Sequence, residues 1–515
     1  MKSFIILLIS FSTLYSVNAQ IAIGGGTPNP SAVFQLNSTT KGFVPPRMTT
    51  NQRQAIVSPT DGLMVFDTST DSFWFFNANK WNQLANQASS VYQQPTDRTD
   101  QNGAANDRIG TAISLGGTNG ILGIVGAPGD NSGRGTIYRL RFIKNNLWSF
   151  EASTLNAVLT GDGYGNAVAI DKINSSEAFI VGSSLDDSTN VNSGSAYIFD
   201  NYSLRQKIVA GNTAGKATNA HFGRSVDISG KNIDDNTGKG YVVVGASGAN
   251  NGRGEIYIYK YNPNILQWNL DANLVDPNGL TGDSLGLSVS LYYDVNIDEA
   301  WAFAGAPYDD EIGKTNVGSV LVYRKALGSS TWVNVAKIVP SDGLDNDFFG
   351  YNVSNCFECQ KVTVGSPGRS LGIGKISDLT LSSIVGNVAN FNVTTIPNSG
   401  NGGGNGSLGM GFTQSIMKGI DCNNIYLALG SGPSGIVQGA STGSSFGYAR
   451  IQKFNGTSWS TQIDAITDPN PKQGYGYGRA VSINTKSNTI LIGAPLQKVD
   501  DNVNQGKIQI VKFEQ

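Results

Sequence analysis

Residues 347–367 read DFFGYNVSNCFECQKVTVGSP, in which an aromatic residue and a glycine are followed by two short apolar runs. The second run ends at Val364-Gly365-Ser366-Pro367. Glycine allows a positive φ and proline removes the N–H that would continue a sheet ladder, so this ending stops a strand. At the start, Phe349 predicts a large side chain packed against a neighbouring sheet, and Gly350 permits close approach of the backbone. The stretch therefore predicts two adjoining β-strands.

The same pattern recurs along the chain at spacings of 55 to 65 residues. Six further copies of the apolar start are Ile109, Tyr164, Phe222, Leu285, Phe412 and Tyr477, with the glycine lost after Phe412. Each copy is followed by an apolar run that closes on glycine, and most copies by two further β-like runs. Repeats of four short strands bounded by turn residues predict sheets arranged radially. The prediction is an all-β protein with a seven-bladed β-propeller of four-stranded antiparallel blades at residues 88–515.

The unit from Trp332 through Ser341-Asp342-Gly343 to Pro367 resembles the FG-GAP repeat. That family builds the seven-bladed propeller of integrin alpha chains and of many secreted bacterial proteins. The resemblance extends over residues 88–515, because seven units agree in motif and spacing. It implies that the loops between second and third strands share one face with the connections between blades, the face that contacts protein ligands in integrins.

The seventh unit ends after three strands, so its sheet needs a fourth strand from elsewhere. Ser90–Gln93 is a β-like piece before the first unit, and we predict that it pairs beside Lys507–Phe513. Such a clasp would join the two ends of the repeat region and cover an exposed sheet edge.

Residues 20–87 lack the repeat and form a separate predicted unit with a β-hairpin. Its strands, Ser72–Phe76 and Lys80–Leu84, are rich in aromatic residues. The stretch from Ser38 to Asp67 resembles segments near the start or stalk of exported bacterial surface proteins and of tail-fibre-like phage proteins. So many aromatic side chains exceed what a small piece can bury by itself. Two alternatives follow: an appendage docked on its neighbour, or a stalk that self-associates.

Residues 1–19 have the features of a removed signal peptide. Lys2 precedes an apolar run that begins at Phe4, and Val17-Asn18-Ala19 has the small residues that signal peptidase reads. The apolar run is too short for the roughly 20 residues of a membrane span. The sequence therefore predicts an exported protein, secreted or at the cell surface, without a membrane span.

Composition excludes several classes of protein. The chain has 36 Lys+Arg against 38 Asp+Glu and lacks basic runs, which argues against a nucleic-acid partner. Its 64 glycines follow no three-residue period, and only 14% of residues are charged, so collagen and coiled coils are excluded.

The three cysteines are too few for a disulfide scaffold. Cys356 and Cys359 form a CxxC motif, which in another setting indicates a metal or redox site. In an exported protein we instead predict a local disulfide between them across a tight hairpin, which leaves Cys422 over.

Candidate binding residues lie in the predicted loops between second and third strands. Most are acidic, so the shared face is predicted to attract cations or basic partners. The candidates are Asp130, Arg134, Asp186, Asp187, Arg253, Asp309, Asp310, Glu311, Asp500 and Asp501.

The nearest match to the calcium loops of integrin-type repeats is Asp294, Asn296 and Asp298, with oxygen ligands at positions 1, 3 and 5. Glu299 stands where glycine allows the sharp turn, and Ala302 stands where the last carboxylate belongs. We therefore expect solvated turn residues, with calcium as the alternative, and no other cofactor.

No catalytic set is apparent, because the single histidine, His221, has no accompanying nucleophile and acid pattern. We therefore expect a non-enzymatic recognition or adhesion protein that binds an extracellular protein or glycan through the loops of the propeller face. One alternative is an exported polysaccharide hydrolase or lyase with Asp309 and Asp310 in a central pocket. Another is a structural component of a surface filament, assembled through residues 20–87.

Overall fold

The computed structural model describes residues 21–25, 31–69, 72–77, 80–84, 96–116, 122–144, 147–153, 159–170, 178–200, 203–212, 216–231, 238–311, 313–369, 374–397, 410–431, 447–468 and 476–513. Strands account for 53% and helices for 4% of the structure, which confirms the all-β class. The chain divides into two compact units, Met1–Ser89 and Ser90–Gln515. The predicted signal peptide and the predicted clasp strand Ser90–Gln93 lie outside the described residues.

The first unit contains two small sheets. Ile21–Ile23 pairs in parallel with Phe34–Leu36. The second sheet has its first two strands parallel and the others antiparallel, in the order Arg47–Met48, Met64–Asp67, Ser72–Asn77 and Lys80–Leu84. Helix Thr50–Gln54 begins at a capping box in which Thr49 and Gln52 bond each other's backbone N–H groups. The predicted aromatic hairpin is therefore present.

A buried arginine organises the aromatic side chains of this unit. Arg53 is 3% exposed, and its Nε donates to Oδ2 of Asp67 at 2.9 Å. Its guanidinium carbon lies 3.7 Å from the ring centroid of Trp74 and 5.3 Å from that of Trp81. An ion pair and cation–π contacts thus take the place of a larger apolar core.

The described part of the second unit contains seven four-stranded antiparallel sheets, numbered here in chain order. Sheet 1 comprises Ala112–Gly116, Leu122–Ala127, Thr136–Lys144 and Leu147–Ser153. Sheet 2 comprises Ala167–Ile170, Phe179–Ser183, Ser195–Asp200 and Ser203–Ile208. Sheet 3 comprises Phe222–Lys231, Lys239–Ala246, Glu255–Asn262 and Gln267–Leu274. Sheet 4 comprises Ser288–Asp294, Glu299–Ala306, Ser319–Lys325 and Val333–Ile338. Sheet 5 comprises Asn352–Cys356, Lys361–Ser366, Lys375–Val385 and Val388–Thr395. Sheet 6 comprises Met410–Lys418, Ile425–Ser431, Ala449–Phe454 and Trp459–Ile466. Short helical turns occupy Asp130–Gly133, Ala249–Gly252 and Phe357–Cys359.

Sheet 7 draws its strands from both ends of the unit. Its order is Ala480–Asn484, Thr489–Ala494, Lys507–Lys512 and Thr96–Arg98. Lys507 strengthens the last pairing, because its Nζ lies 2.9 Å from Oδ2 of Asp97. Within the described residues, Thr96–Arg98 from the N-terminal side completes the sheet, whereas the predicted Ser90–Gln93 lies outside them. The strand is polar, as is common for a strand at the outer edge of a sheet.

The first strands of the seven sheets contact one another in cyclic order. Each contacts the first strand of the next sheet, and that of sheet 7 contacts that of sheet 1. Serine side chains join several neighbours: Oγ of Ser114 accepts the N–H of Ile170 at 3.2 Å, and Oγ of Ser482 accepts the N–H of Leu115 at 2.9 Å. The second of these bonds links sheet 7 to sheet 1.

Glycine permits the close approach of neighbouring sheets. A Cβ on Gly305 would overlap the carbonyl oxygen of Gly350, and a Cβ on Gly493 would overlap that of Gly110. Gly350 also has a φ of 92°, in the left-handed region that favours glycine. The glycine that ends a second strand therefore packs on a glycine of the next sheet. That second glycine follows the aromatic or apolar residue at the start of each repeat, and we call it the motif glycine.

The strand-pairing register changes the assignment of the motif residues in the sixth repeat. In sheet 3 a bulge separates Phe222 from Ser225, and its first residue is the motif glycine. The same bulge separates Met410 from Thr413 in sheet 6, so Gly411 holds the motif position. The prediction that this unit lacks its glycine is wrong, because methionine replaces the aromatic residue there.

Candidate binding face

A recurring turn begins the first strands. His221 has a φ of 56°, and the N–H of Arg224 donates to its carbonyl oxygen at 3.0 Å. Gly476 has a φ of 67°, and its carbonyl oxygen accepts the N–H of Arg479, also at 3.0 Å. Among the described residues, this turn brings the residue after six of the motif glycines to the lining of a shared cavity.

The cavity has a volume of about 280 Å³, and all seven first strands contribute to its lining. We name it the axial cavity. The residues after the motif glycines that line it are Thr111, Asn166, Arg224, Leu287, Tyr351 and Arg479. The described lining contains no carboxylate.

Positive charge collects at the axial cavity. Burial lowers the pKa of Arg479, and repulsion from Arg224 and Arg108 lowers it further, opposed by Tyr351. Burial also disfavours the charged form of Tyr351 and so raises its pKa, an effect opposed by Arg479 and Arg224. Arginine remains protonated in proteins, so the centre of the face is basic. The acidic residues predicted for the loops of this face are not among the described residues that line the cavity.

Two buried acceptor atoms belong to residues of the same lining. Oδ1 of Asn352 and Oε1 of Gln414 have no hydrogen-bond partner in the described part of the chain. The amide nitrogen of Gln414 donates to the carbonyl oxygens of Asn352 at 3.1 Å and of Thr363 at 2.6 Å, which fixes this side chain. Both oxygens are shielded from solvent, so a ligand in the open cavity does not reach them.

The predicted face residue Asp186 is part of an internal network. It is 2% exposed and accepts hydrogen bonds from Ser195 at 2.6 Å, Tyr197 at 3.0 Å and Lys207 at 2.7 Å. Burial acts to raise the pKa of Asp186, but these bonds outweigh it and lower the pKa overall. The carboxylate therefore stabilises the loop and is not presented to a ligand.

We expect Asp186→Asn to lower the free energy of unfolding by about 2 kcal/mol at pH 7, because the hydrogen bond to Lys207 loses its charge. The folded-state pKa of Asp186 lies below the unfolded value of about 3.9. Its contribution is therefore complete above about pH 5 and is lost as the pH falls through the folded-state pKa. Urea unfolding at pH 7 and at about pH 3 measures this, with Asp187→Asn as the exposed control. A deficit of equal size at both pH values would contradict the prediction.

Asp309 is buried in the corresponding loop of sheet 4. It is 3% exposed, and it accepts hydrogen bonds from Ser319 at 2.5 Å and from Lys337 at 2.7 Å. Lys337 also contacts Asp276 and Glu311. Burial raises the pKa of Asp309 in spite of these bonds. The side chain is enclosed by its own loop and is not among the described residues that line the axial cavity.

The remaining candidates of the face are held by local contacts. These contacts join Asp130 to the N–H of Asn131, Asp187 to the N–H of Asn192, Asp310 to the N–H of Asn316, Arg134 to Thr160, Arg253 to the carbonyl oxygens of Asp276 and Pro277, and Asp501 to Lys498. Asp500 adopts a φ of 49° in the last of these loops. The structure thus spreads these residues over separate loops.

The calcium candidates form the turn between the first two strands of sheet 4. Oδ1 of Asp294 accepts the N–H of Asn296 at 2.9 Å, and Oδ1 of Asp298 accepts the hydroxyl of Tyr293 at 2.6 Å. The bond from Tyr293 lowers the pKa of Asp298. Among the described residues, no three His, Cys, Asp or Glu side chains form a group that could hold a metal ion. The hydrogen bonds present are those of a hairpin turn, and calcium binding stays a prediction.

The disulfide joins Cys359 to Cys422, with a Cα–Cα distance of 5.3 Å, and Cys356 is a buried thiol. The prediction of a Cys356–Cys359 bond is wrong. Cys356 packs in a buried apolar cluster, whereas Cys359, at the end of the helical turn Phe357–Cys359, bonds to Cys422. Cys359 and Cys422 are 63 residues apart, about one repeat, and so occupy corresponding turns of neighbouring sheets. The bond cross-links sheets 5 and 6.

Exposed apolar side chains are numerous in the first unit. They include Val33 at 75%, Phe43 at 65%, Val44 at 72% and Val57 at 89% exposure. Apolar exposure on this scale in a small unit is typical of an interaction surface.

Two known families match parts of the chain. The family described as "Phage tail like trimerisation region" matches residues 22–101, and the family described as "FG-GAP repeat" matches residues 332–368. No curated protein matches the chain. Within the described ranges, no helix is long and apolar enough to cross a membrane. The matches confirm an FG-GAP repeat and indicate self-association through the N-terminal region.

Proposed function

We propose that the chain is a secreted or cell-surface recognition protein that trimerises through residues 22–101 and binds an extracellular partner through a seven-bladed, integrin-alpha-like propeller. The cyclic contacts of the seven first strands support the propeller. The FG-GAP match at residues 332–368 supports its repeat type. The trimerisation match and the exposed apolar side chains support the assembly.

The axial cavity is the observation that carries the recognition function. It opens where seven strands meet, and the described residues of its lining offer hydrogen-bonding and charged groups without a carboxylate pair. A hydrolase or lyase would need an acid and a base facing its substrate. Asp309 is enclosed by its own loop and Asp310 accepts the N–H of Asn316, so neither arrangement favours catalysis.

Binding of the full-length protein to a panel of immobilised extracellular glycans and matrix proteins tests this function. We expect saturable binding to at least one member, abolished by Leu287→Trp, which fills the cavity. Ile420→Asp is the control, because Ile420 is 82% exposed and lies outside the cavity lining. Absence of binding, or binding unaffected by Leu287→Trp, would overturn the proposal.

Phe43→Asp combined with Val44→Asp is expected to convert a trimer into monomers, because charge is costly in an apolar interface. Light scattering after size exclusion should give about three times the chain mass of 54.4 kDa for the unmodified protein and about one chain mass for the variant. Leu327→Asp, at another exposed apolar residue in the second unit, should leave the trimer intact. A monomeric unmodified protein would refute the trimeric assembly.

A further inference from the structure

We infer that the axial cavity binds an acidic sugar unit, a uronic acid of an anionic glycan. The inference rests on the proposed recognition function and names the ligand class of the same face. At about 280 Å³ the cavity is just below the roughly 300–1,000 Å³ of sites for drug-sized ligands. It therefore suits one sugar-sized unit and not a folded peptide.

The charge of the cavity selects an anion. Arg224 and Arg479 line it, Arg108 is close enough to repel Arg479, and the described lining holds no carboxylate. Like charges gathered in a cavity repel one another, and a bound anion relieves that repulsion. A guanidinium group binds a planar carboxylate through two parallel hydrogen bonds, so a carboxylate is the best matched anion.

The uncharged part of the lining selects a sugar. The hydroxyl of Thr111 is part of the lining and donates to the carbonyl oxygen of Arg108 at 2.8 Å, so its own oxygen can accept a hydrogen bond from a sugar hydroxyl. Leu287 and the ring of Tyr351 add apolar surface to the same wall. A fully ionised inorganic anion has no hydrogen to donate to the Thr111 oxygen and no apolar face to lie against Leu287 and Tyr351. A ligand with both a carboxylate and hydroxyl groups satisfies both halves of the lining.

Calorimetric titration of the full-length protein with D-galacturonate, D-galactose and acetate tests the inference. Galactose lacks the carboxylate, and acetate lacks the hydroxyl groups. We expect saturable binding of galacturonate, with a Kd at least tenfold lower than for either control. Rising salt should weaken the binding, because it screens the arginines. Equal affinity for acetate would overturn the sugar assignment, and equal affinity for galactose would overturn the acidic one.

Arg224→Gln should weaken galacturonate binding at least tenfold, and the fold should tolerate this change because the side chain is exposed at the cavity mouth. Arg141→Gln is the matched control, since it removes the same charge from an exposed position outside the cavity lining. Equal effects of the two variants would overturn the inference.

The outcomes for this inference and for the proposed function are separable. If galacturonate does not bind while a panel member binds in a manner sensitive to Leu287→Trp, the ligand class is wrong and the recognition function stands. If neither binds, both fail.

Discussion

Cys422→Ser is expected to lower the free energy of unfolding by about 4 kcal/mol. The Cys359–Cys422 bond closes a loop of 63 residues, and the loss of loop-closure entropy in the unfolded chain scales with the logarithm of that length. The loop contains the second, third and fourth strands of sheet 5 and the first strand of sheet 6, so the bond restrains most of one sheet and the start of the next. Chemical denaturation under non-reducing conditions measures the effect.

Cys356→Ser is the matched control for the disulfide. It should leave the cross-link in place, and proteolysis without reduction should yield joined peptides that contain Cys359 and Cys422 in both this variant and the unmodified protein. Peptides joined through Cys356 would show that the local pairing forms instead. An unchanged stability of Cys422→Ser would contradict the stabilising role.

The double substitution Thr96→Pro with Asp97→Pro should destabilise the second unit by about 1–3 kcal/mol, because it leaves a backbone acceptor of the neighbouring strand without its donor. Adjacent N–H groups of a strand point in opposite directions, so one of the two prolines removes a donor that faces Lys507–Lys512. Loss of this strand also exposes the edge of sheet 7 and favours aggregation. Thermal unfolding followed by circular dichroism measures the loss.

Asp97→Asn measures the contribution of the Asp97–Lys507 ion pair separately from that of the strand pairing. Asp97 is half exposed, so its pairing with Lys507 should contribute no more than about 1 kcal/mol. The asparagine variant should therefore unfold close to the unmodified protein, while the proline variant unfolds well below it. Identical melting of all three proteins would exclude Thr96–Arg98 as a stabilising strand.

The sequence predicted the strand content because each strand carries its own local signals for its apolar run and for its end. The apolar run from Val362 to Val364 and the stop at Gly365 are local signals, and they repeat. Thr96–Arg98 was not recognised as a strand of sheet 7, because it is short, polar and at an edge. The disulfide was misassigned because nearness in sequence was given more weight than the repeat length.

The candidate site was harder to predict from the sequence. Acidic loops drew attention, but Asp186 and Asp309 are buried in internal networks. The basic centre depends on Arg224 and Arg479, which are 255 residues apart in the chain and meet only because the sheets follow one another in cyclic order. The usable signal was the residue after the motif glycine, which the shared register places at the cavity in six of the seven sheets.

The strand that completes sheet 7 also constrains the order of biosynthesis. Thr96–Arg98 leaves the ribosome more than 400 residues before its partner Lys507–Lys512. During that interval the nascent chain holds an early strand with no place to pair. Translation of almost the entire second unit must finish before the seventh sheet is complete. A product terminated before residue 507 consequently keeps an open sheet, which a protease or a chaperone can recognise.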